Sequence, residues 1–91
     1  MVLVKRLVLD ILKPHQPKAL EFCSKIAEVG DDYAVSLKVL GVDEETETIE
    51  VCIEGYNLDF ESIQSAIVNM SSSLHSVDVV DVRNEQRKLS E

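Results

Sequence analysis

Aromatic residues make up only 4% of the chain, with no tryptophan, and there are just three glycines. An RNA-binding sheet would need aromatics interleaved with basic residues, and the middle of this chain offers Glu50, Cys52 and Glu54 instead. A phosphate-cradling loop would need glycine after the first strand, where the sequence reads Lys13-Pro14-His15-Gln16-Pro17. The two cysteines, Cys23 and Cys52, stand alone without a C-x-x-C spacing. A soft-metal thiolate pair is therefore not expected, and two buried or half-buried thiols in a reducing compartment are. No apolar run approaches the roughly 18 residues of a membrane span. Lys5 and Arg6 follow the first apolar residues rather than precede them, which argues against a secretion signal. The expected location is the cytoplasm.

Positive charge is missing from a whole stretch. Between Leu40 and Val82 there are ten acids and no lysine or arginine, and the net charge of the chain is −8. Phosphate neutralisation needs clustered basic side chains, so nucleic acid is not an expected partner. A solvated acidic surface is the plain reading of this stretch.

What is present is branched aliphatic. The apolar share is 45% in 91 residues, enough for one core, and the expectation is a single domain over residues 1–83 with a polar, flexible C-terminal tail over 84–91. Leu7, Leu9 and Ile11 alternate with Arg6, Val8 and Asp10, which predicts strand one over Val2 to Leu12. The prolines after it interrupt the ladder. Ala19, Phe22, Cys23, Ile26 and Val29 recur at helical spacing up to Gly30. Val35, Leu37 and Val39, then Ile49, Val51 and Ile53, alternate on either side of the short polar stretch 42–46, which predicts a hairpin. Asp59 is placed to cap a second helix with the stripe Phe60, Ile63, Ile67 and Met70. Leu74 to Val82 is the last strand, and its pattern changes phase between Val79 and Val80, the sign of a bulge or of the end of a sheet.

The order β-α-β-β-α-β, with two weakly repeating halves, predicts an α+β sandwich of the ferredoxin-like kind. Four strands in order 4-1-3-2 form an antiparallel sheet, apart from an expected parallel central pair, and both helices lie on one face. The predicted core is Leu7, Leu9, Ile11, Phe22, Ile26, Val35, Leu37, Ile49, Val51, Ile53, Phe60, Ile63 and Ile67.

No nucleophile stands with a base, since the hydroxyls of Ser71 to Ser73 merely precede His75 in sequence, and enzymatic activity is not expected. Two other features invite a functional reading. The open sheet face is expected to present Val8, Leu40, Cys52 and Val80 within a border of Arg6, Lys38, Glu50 and Glu54, as a partner surface would. That surface, a long first strand and edge strand two point to a homo-oligomer, in which head-to-tail contacts would close a ring. The second feature is one corner of the sheet. Strand four runs back beside strand one, which brings Asp10 and His15 toward His75 and Asp78. Carboxylates there would suit Ca²⁺ or Mg²⁺, and imidazoles Zn²⁺ or Ni²⁺. In the competing reading His15 caps backbone groups near the proline turn, while the acids are solvated or bonded to Lys13 and Ser76. A small assembly or interaction module that binds a divalent cation is the first functional reading. A regulatory domain that responds to an unidentified small ligand is the alternative.

Four segments carry a family resemblance: Leu9-Asp10-Ile11-Leu12-Lys13-Pro14-His15, Asp43-Glu44-Glu45-Thr46-Glu47, Leu58-Asp59-Phe60 and His75-Ser76-Val77-Asp78. Together they resemble domain-of-unknown-function family 211, small archaeal proteins, from Val2 to Val82. The resemblance implies a ferredoxin-like fold, a tendency toward homo-oligomers and no assigned activity. It also leads one to expect glycine before the last strand, where this chain has Ser71-Ser72-Ser73.

Overall fold

The alternating segments form four strands and the two helical stripes form two helices. The computed structural model describes residues 1–86. The chain runs β1 (Val2–Pro14), α1 (Ala19–Ala27), β2 (Ala34–Val42), β3 (Thr46–Glu54), α2 (Phe60–Asn69) and β4 (Ser73–Asn84). The sheet order is β2-β3-β1-β4, the expected order read from its other edge. One expectation is corrected: the central strands β1 and β3 pair antiparallel, not parallel. The crossover through α1 makes β2 run with β1, and the hairpin then turns β3 back against both. No helix among the described residues is long and apolar enough to cross a membrane.

Leu7, Leu9 and Ile11 of β1 lie opposite Ile53, Val51 and Ile49 of β3. All six are buried against Phe22 and Ile26 of α1 and Ile63 and Ile67 of α2, so both helices cover one face. Ten of the thirteen predicted core residues are buried, while Val35, Leu37 and Phe60 pack against the cluster only in part. An edge strand has no neighbour on its far side, and Val35 and Leu37 sit on one. Leu58 joins the core cluster and Leu3 is also buried, although neither belongs to a predicted stripe.

Local chemistry sets the helix ends. Asp59 caps α2 as expected, its Oδ1 accepting from the Ser62 N–H at 3.2 Å and its Oδ2 from the Ser62 hydroxyl at 2.7 Å. These bonds favour the ionised carboxyl and hold its pKa below the usual range. At the other end Ser71 occupies the left-handed region at φ 60. Its N–H donates to Val68 O, and that of Ser72 to Ile67 O, the paired bonds with which a glycine would close a helix. Serine thus makes the turn expected of glycine, with a strained φ.

β4 is less regular than β1. Its pairing with β1 steps at three points, and the extra residues are Lys5 on β1 and His75 and Asp78 on β4. The predicted phase change is therefore real but lies earlier than the Val79–Val80 step. Because Asp78 is extra, Val77 and Val79 fall on opposite faces, and Val80 pairs with core-facing Leu7. The strand also outlasts its predicted end: Asn84 pairs with Val2, and Glu85 N–H donates to Met1 O. Asn84 thus belongs to β4 and Glu85 is tied to Met1 just beyond the strand, while Gln86 is exposed and residues 87–91 of the predicted tail lie outside the described residues.

Candidate functional site

Two sites emerge when side chains are added to this frame, and they divide the predicted cation corner. β1 continues past Leu12, pairing Lys13 with Glu47 and Pro14 with Thr46 of β3. Its pairing with β4 ends earlier, at Leu12 and Ser73. The loop after Pro14 consequently leaves on the β3 side of β1, and His15 goes with it.

His15 Nδ1 lies 3.1 Å from Glu47 Oε2, and Nε2 lies 3.0 Å from the Asp43 carbonyl and 2.9 Å from the Glu44 carbonyl. Lys13 stands behind the same carboxylate. Its side chain is 0% exposed, and its ammonium donates to Pro14 O at 2.8 Å, Pro17 O at 2.7 Å and Glu47 Oε1 at 3.1 Å. All three donors of the ammonium are used. Glu47 thus joins the β1–α1 loop to the β2–β3 hairpin. Its hydrogen bonds to His15 and then Lys13 hold its pKa below the usual carboxylate range. Bonding to Glu47 and to the Glu44 carbonyl raises that of His15. Sequence reading missed the Lys13–Glu47 pair, although both residues continue the inward phase of their strands.

The other three residues of the corner part ways too. Asp10 and His75 line one cleft of about 270 Å³ with Ile11, Leu12 and Thr48. Asp10 Oδ1 is buried there without a hydrogen-bond partner. Asp78 is not among the lining residues, and its Oδ1 accepts from the Ser76 hydroxyl at 2.7 Å. The four-residue arrangement is therefore not assembled: among the described residues no three His, Cys, Asp or Glu side chains gather closely enough to hold a metal ion. The reason is topological, since His15 follows β3 while His75 sits on β4.

The predicted partner surface is likewise redrawn. Val8 and Cys52 face each other across β1 and β3 on the open face, both half-buried, and neither cysteine is in a disulfide. Burial pushes the Cys23 thiol above its ordinary pKa. Arg6 in the border binds Asp81 at 2.7 Å. Leu40 is the extra residue of a bulge in β2 and is exposed. Val80, expected on the open face, instead lies on the helix side. There it lines a groove of about 360 Å³ with Val4, Leu7, Phe60 and Val77, five apolar residues and no polar one. Val77 is 40% and Val80 55% exposed, so α2, which meets this groove only through its first residue Phe60, leaves this part of the sheet uncovered.

A model of the DUF211 family, described as Uncharacterized ArCR, matches residues 5–86. An uncharacterized protein of Methanocaldococcus jannaschii is 43% identical over 77 residues, which cover 85% of this chain and 79% of that protein.

Proposed function

Since the chain belongs to the DUF211 family, whose description names no activity, we propose its function from its surfaces: it is an interaction module that assembles with copies of itself. The observation that carries this reading is the wholly apolar groove of Val4, Leu7, Phe60, Val77 and Val80 beside edge strand β4. A second apolar patch lies at the opposite edge of the sheet, where Leu40 is 54% and Val42 66% exposed at the end of β2. Different patches on opposite edges fit a head-to-tail contact, which closes into a ring or continues as a filament. At a net charge of −8 copies repel at long range, so added salt should strengthen association by screening.

Sedimentation velocity of the full chain at micromolar concentration tests this directly. The parent is expected to sediment as an oligomer, whereas Val77→Glu with Val80→Glu, or Leu40→Glu alone, sediments as a folded monomer by circular dichroism. A monomeric parent overturns the reading.

A second reading, regulation by a cation or small ligand, draws on the unpartnered Asp10 Oδ1 in the cleft it shares with His75. A buried carboxylate oxygen without a donor is costly, and a bound cation would relieve that cost. Calorimetric titration with Ca²⁺ and with Zn²⁺ should then give heat in the parent and lose it in Asp10→Asn; loss in His75→Ala as well would point to Zn²⁺, the better imidazole partner. No heat in the parent, or equal heat in both variants, removes the cleft as a cation site.

A further inference from the structure

The surroundings of His15 consist only of acceptors. Nδ1 meets a carboxylate oxygen of Glu47, and Nε2 meets two carbonyl oxygens, those of Asp43 and Glu44. A neutral imidazole has one N–H and one bare nitrogen, so in either tautomer a lone pair would face an acceptor. Only the imidazolium ion satisfies both sides. These contacts also cross between elements, for His15 lies on the loop between β1 and α1 while its partners lie on β3 and on the turn from β2 to β3.

We propose that His15 is a proton-operated clasp, which fastens the β2–β3 turn to the β1–α1 loop as an imidazolium and releases it when the ring becomes neutral. The groups that act on the ring can be named element by element. From β3, Glu47 supplies the counter-charge. From β1, Lys13 occupies the other oxygen of that carboxylate and orients it. The turn contributes the Asp43 and Glu44 carbonyls, and the side chains of Asp43, Glu44 and Glu45 are exposed around it, adding negative potential. No other ion pair reaches the ring among the described residues.

The sign of the effect follows. The pKa of His15 is raised in the folded chain, so its contribution is complete below the ordinary histidine value and is lost as pH rises through the folded value. The Glu47 pKa is lowered, so its contribution is present above the ordinary glutamate value and fails only as pH falls through the folded one. The clasp is therefore closed between the lowered folded value of Glu47 and the raised folded value of His15, and it opens as pH rises through the latter. Within the turn, Asp43 N–H donates to Thr46 O at 2.8 Å, and its exchange with solvent reports whether the turn is held. The turn adjoins Leu40 and Val42, so a consequence for assembly rests on the function proposed above, whereas the clasp does not.

Nuclear magnetic resonance of the full chain tests it. Long-range proton–nitrogen spectra should show the His15 ring still protonated at both nitrogens at the ordinary histidine value and titrating above it. Glu47→Gln should bring that titration back down. Exchange of the Asp43 amide, divided by its intrinsic rate, should rise roughly tenfold as the ring deprotonates, and the rise should vanish in His15→Gln. An ordinary titration of the ring, an amide whose normalised exchange stays level across it, or the same step in His15→Gln would overturn the proposal. None of these readouts depends on whether the chain associates.

Discussion

Glu47→Ala should destabilise the folded chain by about 3 to 5 kcal/mol, a large part of the roughly 5 to 15 kcal/mol that holds a domain of this kind together. Glu47 is the counter-ion of an ammonium with no access to water. With the carboxylate gone, Lys13 keeps two carbonyl partners but carries an uncompensated buried charge, which costs more than the loss of the pair itself. Lys13→Met should cost less, about 2 to 3 kcal/mol, because it removes the charge and leaves acceptors without a donor. The double variant Lys13→Met with Glu47→Leu should then be clearly more stable than the sum of the two singles, since apolar groups replace both partners. Urea unfolding of the four proteins measures this, and a Glu47→Ala loss below about 1 kcal/mol would show that the pair is not buried as described. The pH dependence has a definite direction as well. Because the Glu47 pKa is lowered, the parent should lose this contribution as the solution is acidified through the folded value, and Glu47→Ala should show no such loss.

Phe22→Ala should cost about 3 to 5 kcal/mol, the range for removing a large aromatic from a packed core. Phe22 is fully buried, in contact with a cluster drawn from both helices and the two central strands. Two further truncations make the test specific to this architecture. Leu58, outside any helical or strand stripe, is buried, and Leu58→Ala should cost about 2 to 4 kcal/mol. Phe60, which periodicity assigns to the core, lines the open groove instead. Phe60→Ala should therefore cost less than Leu58→Ala when both are measured in a monomeric background. The reverse order in urea unfolding would mean that Phe60, not Leu58, closes the core.

These residues show where the sequence is legible. Period-two alternation in β1, β2 and β3 and helical spacing in α1 and α2 report directly on which side chain faces inward, and the strands, helices and most core positions follow from them. Lys13 and Glu47 obey the same alternation, Lys13 after Leu7, Leu9 and Ile11, and Glu47 before Ile49, Val51 and Ile53. The pair escapes a reading that stops at charge and proline, since a lysine seldom points into a core and Pro14 suggests that the strand has ended. In β4 the two extra residues break the period, which is why Val80 is read onto the wrong face. Asp10 and His75 share a cleft as the pairing of β1 with β4 suggests. His15 departs because the end of β1 is held by β3, and register at a strand end is not encoded in the local pattern. Membership of the DUF211 family was legible in the short segments that join uncommon residues at fixed offsets.

The irregularity of β4 bears on a hazard that any such sheet carries. A flat, regular edge strand is a template onto which a foreign strand can add, and repeated addition leads to fibres. β4 forms one edge of the sheet and is rich in valine, a composition prone to that fate. Its two extra residues, His75 and Asp78, break the spacing of its backbone groups and increase the local twist. Leu40 does the same on β2, at the other edge. Each edge thus carries exposed apolar side chains on a backbone whose register is broken, the kind of irregularity that blunts addition of an arbitrary strand.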